Sequence, residues 1–185
     1  MGYPEGHKAK TRERIVLAAR KLWKTKGYGG ASVDHVMKEA GLTRGGFYAH
    51  FKSKDALFAE ALADHRLIEG LKKLEAKGIT DRKEQQRYVI DWYLDHPHRD
   101  HPEDGCVLTT LSQEVSRLGN EPRGVLNIMV SRFGRWLSGE KEDKNGLAAL
   151  SMMVGAVTLA RAVGEDEELS SEILNQAKQE LQKVI

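Results

Sequence analysis

The sequence predicts an all-α protein: an N-terminal head of three helices followed by a longer helical body, about nine helices in total. Three observations carry this. Apolar residues recur at spacings of three and four along most of the 185 residues, and no segment alternates with the two-residue period of a strand. Ser, Thr and Asp precede these runs and Gly follows them, which is the punctuation of capped helices. The charge also divides the chain: residues 1–54 carry 12 Lys+Arg against 4 Asp+Glu, whereas the rest carries 17 against 23. A basic head on an acidic body suits a nucleic-acid-binding module joined to a non-binding one; the competing reading of Lys8 to Lys26 is a solvated helix face.

Residues 1–7 (MGYPEGH) read as a frayed end or a remnant of expression. The first helix spans Lys8 to Lys26, with Ile15, Ala18, Ala19 and Leu22 as its buried stripe and Trp23 as anchor. Lys8, Lys10, Arg12 and Arg14 stand at its start, placed to touch phosphates or a minor groove. Gly27 stops it and Gly29-Gly30 forms a loop. Ser32 then caps a short helix with Asp34 in its first turn and Val33, Val36, Met37 and Ala40 on one face. Gly41 ends this helix in a left-handed conformation and Leu42 plugs the turn. Thr43 caps a second helix in which Phe47 and Phe51, four apart, face inward and leave Arg44, Gly45 and Tyr48 outward. Ser53 caps the next. This is a helix-turn-helix whose second helix is free to enter a major groove.

The run AGLTRGGFYAHFKSKDAL resembles the signature of the TetR family of transcriptional regulators, in which a small-residue turn precedes a short recognition helix ending in Tyr-x-His-Phe. Ile15, Ala18, Ala19, Leu22, Trp23, Gly27, Tyr28 and Ser32 match that family's first helix and its exit. The resemblance covers roughly the first third of the chain. It implies a DNA-binding domain over residues 1–54, a ligand-binding and dimerisation domain over residues 55–185, and a helix linking the two.

That linking helix is expected from Lys54 to about Lys77, carrying Leu57, Phe58, Leu62, Ile68, Leu71 and Leu74. Asp81 begins a helix through Tyr88, Val89, Trp92 and Tyr93 to Leu94. Residues 96–105 (HPHRDHPEDG) are expected as a loop because two prolines oppose helix continuation. Helices resume at Cys106–Leu118 and again after Glu121, with Pro122 at a first helical position. Gly139 to Asn145 reads as a charged turn. Leu147 to Val163 is apolar nearly all round, yet Ser151, Thr158 and Arg161 interrupt it and it is too short for a membrane span. A last helix from about Glu167 places Leu169, Ile173, Ala177 and Leu181 on one face. Pairing of these last two helices with a second copy as a four-helix bundle covers both, and it is also how the resembled family dimerises.

In the head, the Thr43 and Tyr48 hydroxyls and His50 are suited to phosphate oxygens, and Lys54 brings charge to a helix N-terminus. Arg44 is the base-reading residue, since Arg on guanine is the commonest specific contact. Gly45 and Gly46 permit close approach but read nothing. The competing reading packs Tyr48 and His50 beneath the turn. A dimer predicts a palindromic operator in double-stranded DNA, repression by occlusion, and release by a small-molecule effector. In the body, Trp92, Tyr93, Met129, Phe133, Trp136, Met152 and Met153 either line an apolar effector pocket or form plain core. Arg161 pairs with a carboxylate or anchors an anionic ligand. Cys106, beside Asp104-Gly105 near a helix start, is either a thiol sensor or a small buried hydrophobe.

The different-class alternative is a thiol- or metal-dependent helical binding protein or enzyme using Cys106 and the His96, His98 and His101 loop, with Asp100 beside it. His-x-His-x-x-His is not a strong metal spacing, and the chain has no Gly-rich phosphate loop or nucleophile–base pattern. No enzyme activity, cofactor or metal is therefore expected. A single Cys excludes a disulfide framework, the N-terminus shows no signal peptide, and a cytoplasmic location follows.

Overall fold

The computed structural model describes residues 6–63, 65–139 and 145–184. Most of the expected frayed end (residues 1–5) and most of the expected charged turn (residues 140–144) lie outside the described residues. Among the described residues the chain is all-α, with no strand. In order the helices are α1 (His7–Gly30), α2 (Val33–Glu39), α3 (Lys54–Leu62), α4 (Arg66–Ala76), α5 (Arg82–Tyr93), α6 (His96–Asp100), α7 (Val107–Val115), α8 (Asn120–Leu137), α9 (Gly146–Ala162) and α10 (Glu167–Val184). A 3-10 turn, Arg44–Ala49, lies between α2 and α3.

The chain divides into two compact units, residues 1–63 with 110–126 and residues 64–109 with 127–185. In the first, α1 lies against α2 and α3. Ile15, Ala19 and Trp23 of α1, Val36 and Met37 of α2, and Leu57, Phe58, Ala61 and Leu62 of α3 are buried together. Trp23 meets Phe58 edge-on at 5.1 Å and its indole N–H donates to the Ala31 carbonyl at 3.2 Å. Burying a ring of this size is worth about 1.5–3 kcal/mol, so this aromatic knot is a main anchor of the unit. Gly27, at φ 72 and ψ 166, breaks α1 where the sequence expects its stop. Only glycine adopts that conformation cheaply.

In the second unit α10 packs along α9, and α5 and α6 pack against these. Leu150, Met153, Val157 and Ala160 of α9 meet a core completed by Val89, Ile90 and Tyr93 of α5, Phe133 and Leu137 of α8, and Leu174 and Leu181 of α10.

Three expectations are corrected, and α10 buries a line the pattern did not mark. The single helix from Lys54 to Lys77 is two helices: Ala63 (ψ 82) and His65 (ψ 4) leave helical geometry. Arg20 donates to the Ala61 and Ala63 carbonyls at 2.8 and 3.0 Å, taking the acceptors that a continuing helix would use. The loop at residues 96–105 contains α6. Pro97 sits in its first turn, where a missing N–H costs nothing, and Asp95 caps it by accepting from the His96 N–H at 2.9 Å. The second helix of the helix-turn-helix is a 3-10 turn whose N-cap, Thr43, makes no side-chain hydrogen bond. Finally, α10 buries Ser170, Leu174 and Leu181, while Leu169 remains 42% exposed and Ile173 half-buried. Ser170 holds the core line because its hydroxyl donates to the Ala160 carbonyl at 2.8 Å and accepts from Arg99 at 2.9 Å.

Candidate nucleic-acid interface

The local sequence builds the helix-turn-helix step by step. The Ser32 hydroxyl accepts from the His35 N–H at 3.3 Å and the Ser32 N–H donates back to the His35 ring at 3.4 Å, a reciprocal cap that starts α2. Gly41, at φ 66, turns the chain, and the Leu42 N–H donates to the Met37 carbonyl at 2.8 Å. Phe47 and Phe51 then sink into the unit at 1% and 3% exposure. That burial rotates the rest of the turn outward. Thr43, Arg44 and Gly45 are exposed and Tyr48 is 71% exposed. A side chain added at Gly45 would meet nothing within 4 Å, so the unit itself does not require glycine there.

Arg44 is held at rest by an ion pair with Asp34 at 2.9 Å, with both side chains at least half exposed. His50 is half-buried; its Nδ1 is buried without a hydrogen-bond partner. Burial first, then the positive charges of Lys8, Arg12 and His7, hold its imidazole below the usual histidine range. Lys54, expected to face phosphates, turns inward instead: Nζ donates to the Tyr28 carbonyl at 2.5 Å and lies 4.0 Å from the Tyr28 ring centroid. Burial lowers its pKa, opposed by Asp55 and Glu114. Tyr28 is locked from other sides too, its N–H donating to Glu114 at 2.6 Å and its hydroxyl to Asp55. The exit from α1 is thereby tied to the start of α3.

What sequence reasoning missed is the use made of the arginines of α1. Arg14 donates to the Ala40 carbonyl at the end of α2 at 2.6 Å, Arg12 to the His50 carbonyl at the end of the 3-10 turn, and Arg20 to the carbonyls ending α3. Each terminus carries unpaired carbonyls and a partial negative charge, so a guanidinium satisfies both at once. The same device recurs elsewhere. Arg123 donates to the Ser116 carbonyl past α7 at 2.5 Å, and Arg82 and Gln86 donate to the Trp136 carbonyl near the end of α8 at 3.0 and 2.8 Å.

In the second unit, part of the expected effector set comes together around Tyr93. Its ring lies 4.4 Å from His98 and 6.3 Å from Phe133, and Trp92, half exposed, stacks on His98 at 4.9 Å. The Tyr93 hydroxyl is buried beside the Cys106 thiol; burial first, then the charge and hydrogen bond of Cys106, push its pKa up, against Arg161. Trp136 stands 6.1 Å from Phe133. Met153 is fully buried, Met129 half-buried and Met152 41% exposed. Among the described residues Arg161 hydrogen-bonds no carboxylate: it donates to the His98 carbonyl at 2.5 Å, the Arg99 carbonyl at 2.8 Å and the Thr109 hydroxyl at 2.9 Å. It too caps a helix, α6.

The histidines of α6 and its C-cap do not converge. His98 is buried, its Nε2 accepting from the Cys106 N–H at 2.9 Å and its Nδ1 2.7 Å from the Tyr93 carbonyl. His96 faces Ser171 at 3.3 Å and His101 faces Glu103 at 3.4 Å. Among the described residues no three His, Cys, Asp or Glu side chains are placed to hold a metal.

A capped helix, a glycine turn and an exposed short 3-10 turn anchored by two buried phenylalanines define a helix-turn-helix head. Residues 15–61 match the model of the bacterial regulatory proteins of the tetR family. An uncharacterized HTH-type transcriptional regulator from the lacX 3' region of Lactococcus lactis is 29% identical over 145 residues, 76% of this chain and 70% of that protein. The uncharacterized HTH-type regulator YdgC of Bacillus subtilis is 39% identical over 54 residues, which is 29% of this chain and 28% of that protein's length. A TetR transcriptional regulator from Chloroflexus aurantiacus has the same fold, with a TM-score of 0.72 and 22% identity over 95% of this chain and 94% of that one. Over residues 15–61 the chain is thus similar to the tetR family of bacterial regulatory proteins, and its fold is that of solved TetR regulators.

Proposed function

We propose that the protein is a ligand-responsive transcriptional repressor that binds a palindromic operator as a homodimer. The observation that carries this is the outward set on the 3-10 turn, Arg44, Gly45 and Tyr48, presented by the buried pair Phe47 and Phe51. In this reading Arg44 exchanges Asp34 for a base edge, while Thr43, Tyr48 and the outer face of His50 hold phosphates. Gly45 allows the backbone close to the groove. Lys54 acts through the Tyr28 loop rather than as a phosphate contact.

Dimerisation is supported by α9. Ala148, Met152, Gly155, Leu159 and Ala162 recur at steps of four and three, and all are exposed or half-buried, Met152 at 41% and Leu159 at 58%. The opposite face of the same helix is core. A second copy laid along this stripe and along Leu169 of α10 covers it and sets two heads on one duplex. An effector acting on the second unit, beside the buried aromatic cluster of Tyr93, His98 and Phe133, then favours a head spacing that releases DNA. Among the described residues no helix is long and apolar enough to cross a membrane, and this reading puts the protein in the cytoplasm with the chromosome.

Selection of the purified protein against random duplex DNA tests the reading. A retained palindrome, lost with Tyr48→Ala, is expected. No enrichment by folded, dimeric protein, before and after refolding to strip bound ligand, refutes it.

A further inference from the structure

We propose that Arg12 and Glu60 form a clamp that sets the position of the recognition turn, so that sequence discrimination depends on two residues that touch no DNA. This rests on the DNA-binding reading above.

The guanidinium of Arg12 is engaged on every side. Its Nε donates to both Glu60 carboxylate oxygens, at 3.0 and 3.1 Å, and one terminal nitrogen adds a further bond to the same carboxylate. The other terminal nitrogen donates to the His50 carbonyl. The guanidinium carbon lies 4.0 Å from the centroid of the Phe51 ring. One planar group on α1 therefore grips α3, the C-cap of the recognition turn and the core ring that follows it. Only a fork of fixed geometry does this; an ammonium on a flexible stem cannot span three partners.

The turn needs such a grip. A 3-10 segment has poorer hydrogen bonds than an α-helix, and this one lacks a side-chain cap at Thr43. Its C-terminal end is instead held from outside. The pair forms one wall of a cleft of about 500 Å³ lined also by His50, Phe51 and Lys52, so the end of the turn is not buttressed by solid packing on that side. Without the clamp the turn has room to shift. Electrostatics separate this role from a phosphate contact. The Arg12 charge already faces a carboxylate, and the side chains are 41% and 38% exposed, so loss of the pair leaves the unit folded.

The test uses Arg12→Gln, Arg12→Lys, Glu60→Gln and the reversed pair Arg12→Glu with Glu60→Arg in the full chain. Each is titrated on the selected palindrome and on random duplex at several salt concentrations, with thermal melts alongside. Glu60→Gln is decisive in sign. It removes a negative charge, so simple charge attraction makes it bind all DNA more tightly, whereas the clamp makes it bind the palindrome more weakly. The expected result is that Arg12→Gln, Arg12→Lys and Glu60→Gln each lower the palindrome-to-random ratio about tenfold or more, with random-duplex affinity and salt slope kept. The reversed pair recovers part of the ratio. Glu60→Gln binding the palindrome as tightly as or more tightly than the parent overturns the proposal. So does an equal loss on both DNAs in Arg12→Gln with a salt slope shallower by about one, which marks a phosphate contact. Unfolding of both Arg12→Gln and Glu60→Gln at ambient temperature also overturns it, because the pair is then a folding element. A parent protein that retains no palindrome fails the DNA-binding reading instead, before any variant is compared.

Discussion

Asp34→Asn should tighten DNA binding. In the free head Asp34 holds Arg44 at 2.9 Å, and both groups face solvent, with side chains 51% and 69% exposed. An exposed pair of this kind is worth about 0.2–1 kcal/mol net, because high dielectric and side-chain entropy offset most of the attraction. DNA must displace that interaction to take Arg44, and it must also accept a carboxylate near its phosphates. Removing the charge returns the first cost, a gain of about 1.5- to 5-fold in affinity. Arg44 takes a base edge rather than a phosphate, so the slope of log affinity against log salt should stay nearly unchanged. A competing effect acts on stability: Asp34 lies in the first turn of α2, where a carboxylate favours the helix by about 0.3–1 kcal/mol. The assay is fluorescence anisotropy with the selected palindrome and with random duplex at three salt concentrations, beside Arg44→Ala. The latter should cost about 1–3 kcal/mol on the palindrome and much less on random duplex. Weaker palindrome binding by Asp34→Asn, with random duplex unchanged, would refute the reasoning. Asp34 would then be orienting Arg44 for its base rather than holding it back.

Three further outcomes are expected. Gly27→Ala should lower the melting temperature of the protein sharply, since φ 72 with ψ 166 costs a non-glycine residue about 1–3 kcal/mol. The new Cβ would also lie 2.6 Å from the Glu114 carboxylate that accepts from Tyr28; a melt within a degree of the parent would contradict this. Leu159→Glu should convert the proposed dimer to a folded monomer in sedimentation, because Leu159 is 58% exposed and the change disturbs no core of its own chain. His50 should make DNA binding pH-dependent. Its pKa in the free protein is pushed below the ordinary value by burial and by Lys8, Arg12 and His7, and a phosphate alongside would raise it. Bound protein thus takes up a proton, and affinity should rise as pH falls from about 7.5 to 5.5. The sign for folding is opposite. The unfolded chain binds the proton more readily than the folded one, so this group's contribution to stability is full above its unfolded pKa and declines as pH falls through it. His50→Gln should flatten both profiles.

The head was legible in sequence wherever a residue type has one dominant local use. Ser32, Gly41 and Ser53 are at helix ends as expected, and Phe47 and Phe51 are core. Local chemistry also marked Gly27. It did not reveal that the second helix is a 3-10 turn, because Gly45 and Gly46 carry little conformational preference to read. In the body, periodicity found the helices but did not mark the face of α10 that its own chain buries. Hydropathy cannot know that Ser170 is satisfied by Ala160 and Arg99. The split between α3 and α4 has no glycine or proline to announce it; it depends on Arg20, more than forty positions earlier, reaching two carbonyls. Arg161 was weighed between a carboxylate and a ligand, and it took backbone carbonyls. In each failure a long side chain chose its partner in three dimensions.

That choice changes how the basic head must be read. Composition assigns residues 1–54 twelve cations, and if all of them met phosphates the salt slope per head would approach about −11. Arg12, Arg14 and Arg20 are instead on helix-end carbonyls and Lys54 is on the Tyr28 carbonyl. Lys24 is only 5% exposed. Lys21 faces Glu39 at 3.4 Å on the outer side of α1. Lys26 is exposed near the other end of α1, and the exposed cations on α2, on the recognition turn, at its exit and at the start of α1 are Lys38, Arg44, Lys52, Lys8 and Lys10. The slope per head should therefore be about −3 to −5. Measured on random duplex, where base contacts contribute least, a slope near −9 or steeper would mean that the capping arginines leave their carbonyls for DNA, and the head would then have to rearrange on binding. A slope in the lower range keeps them as internal caps, and most of the positive charge of α1 then serves to build the reading head rather than to attract the duplex.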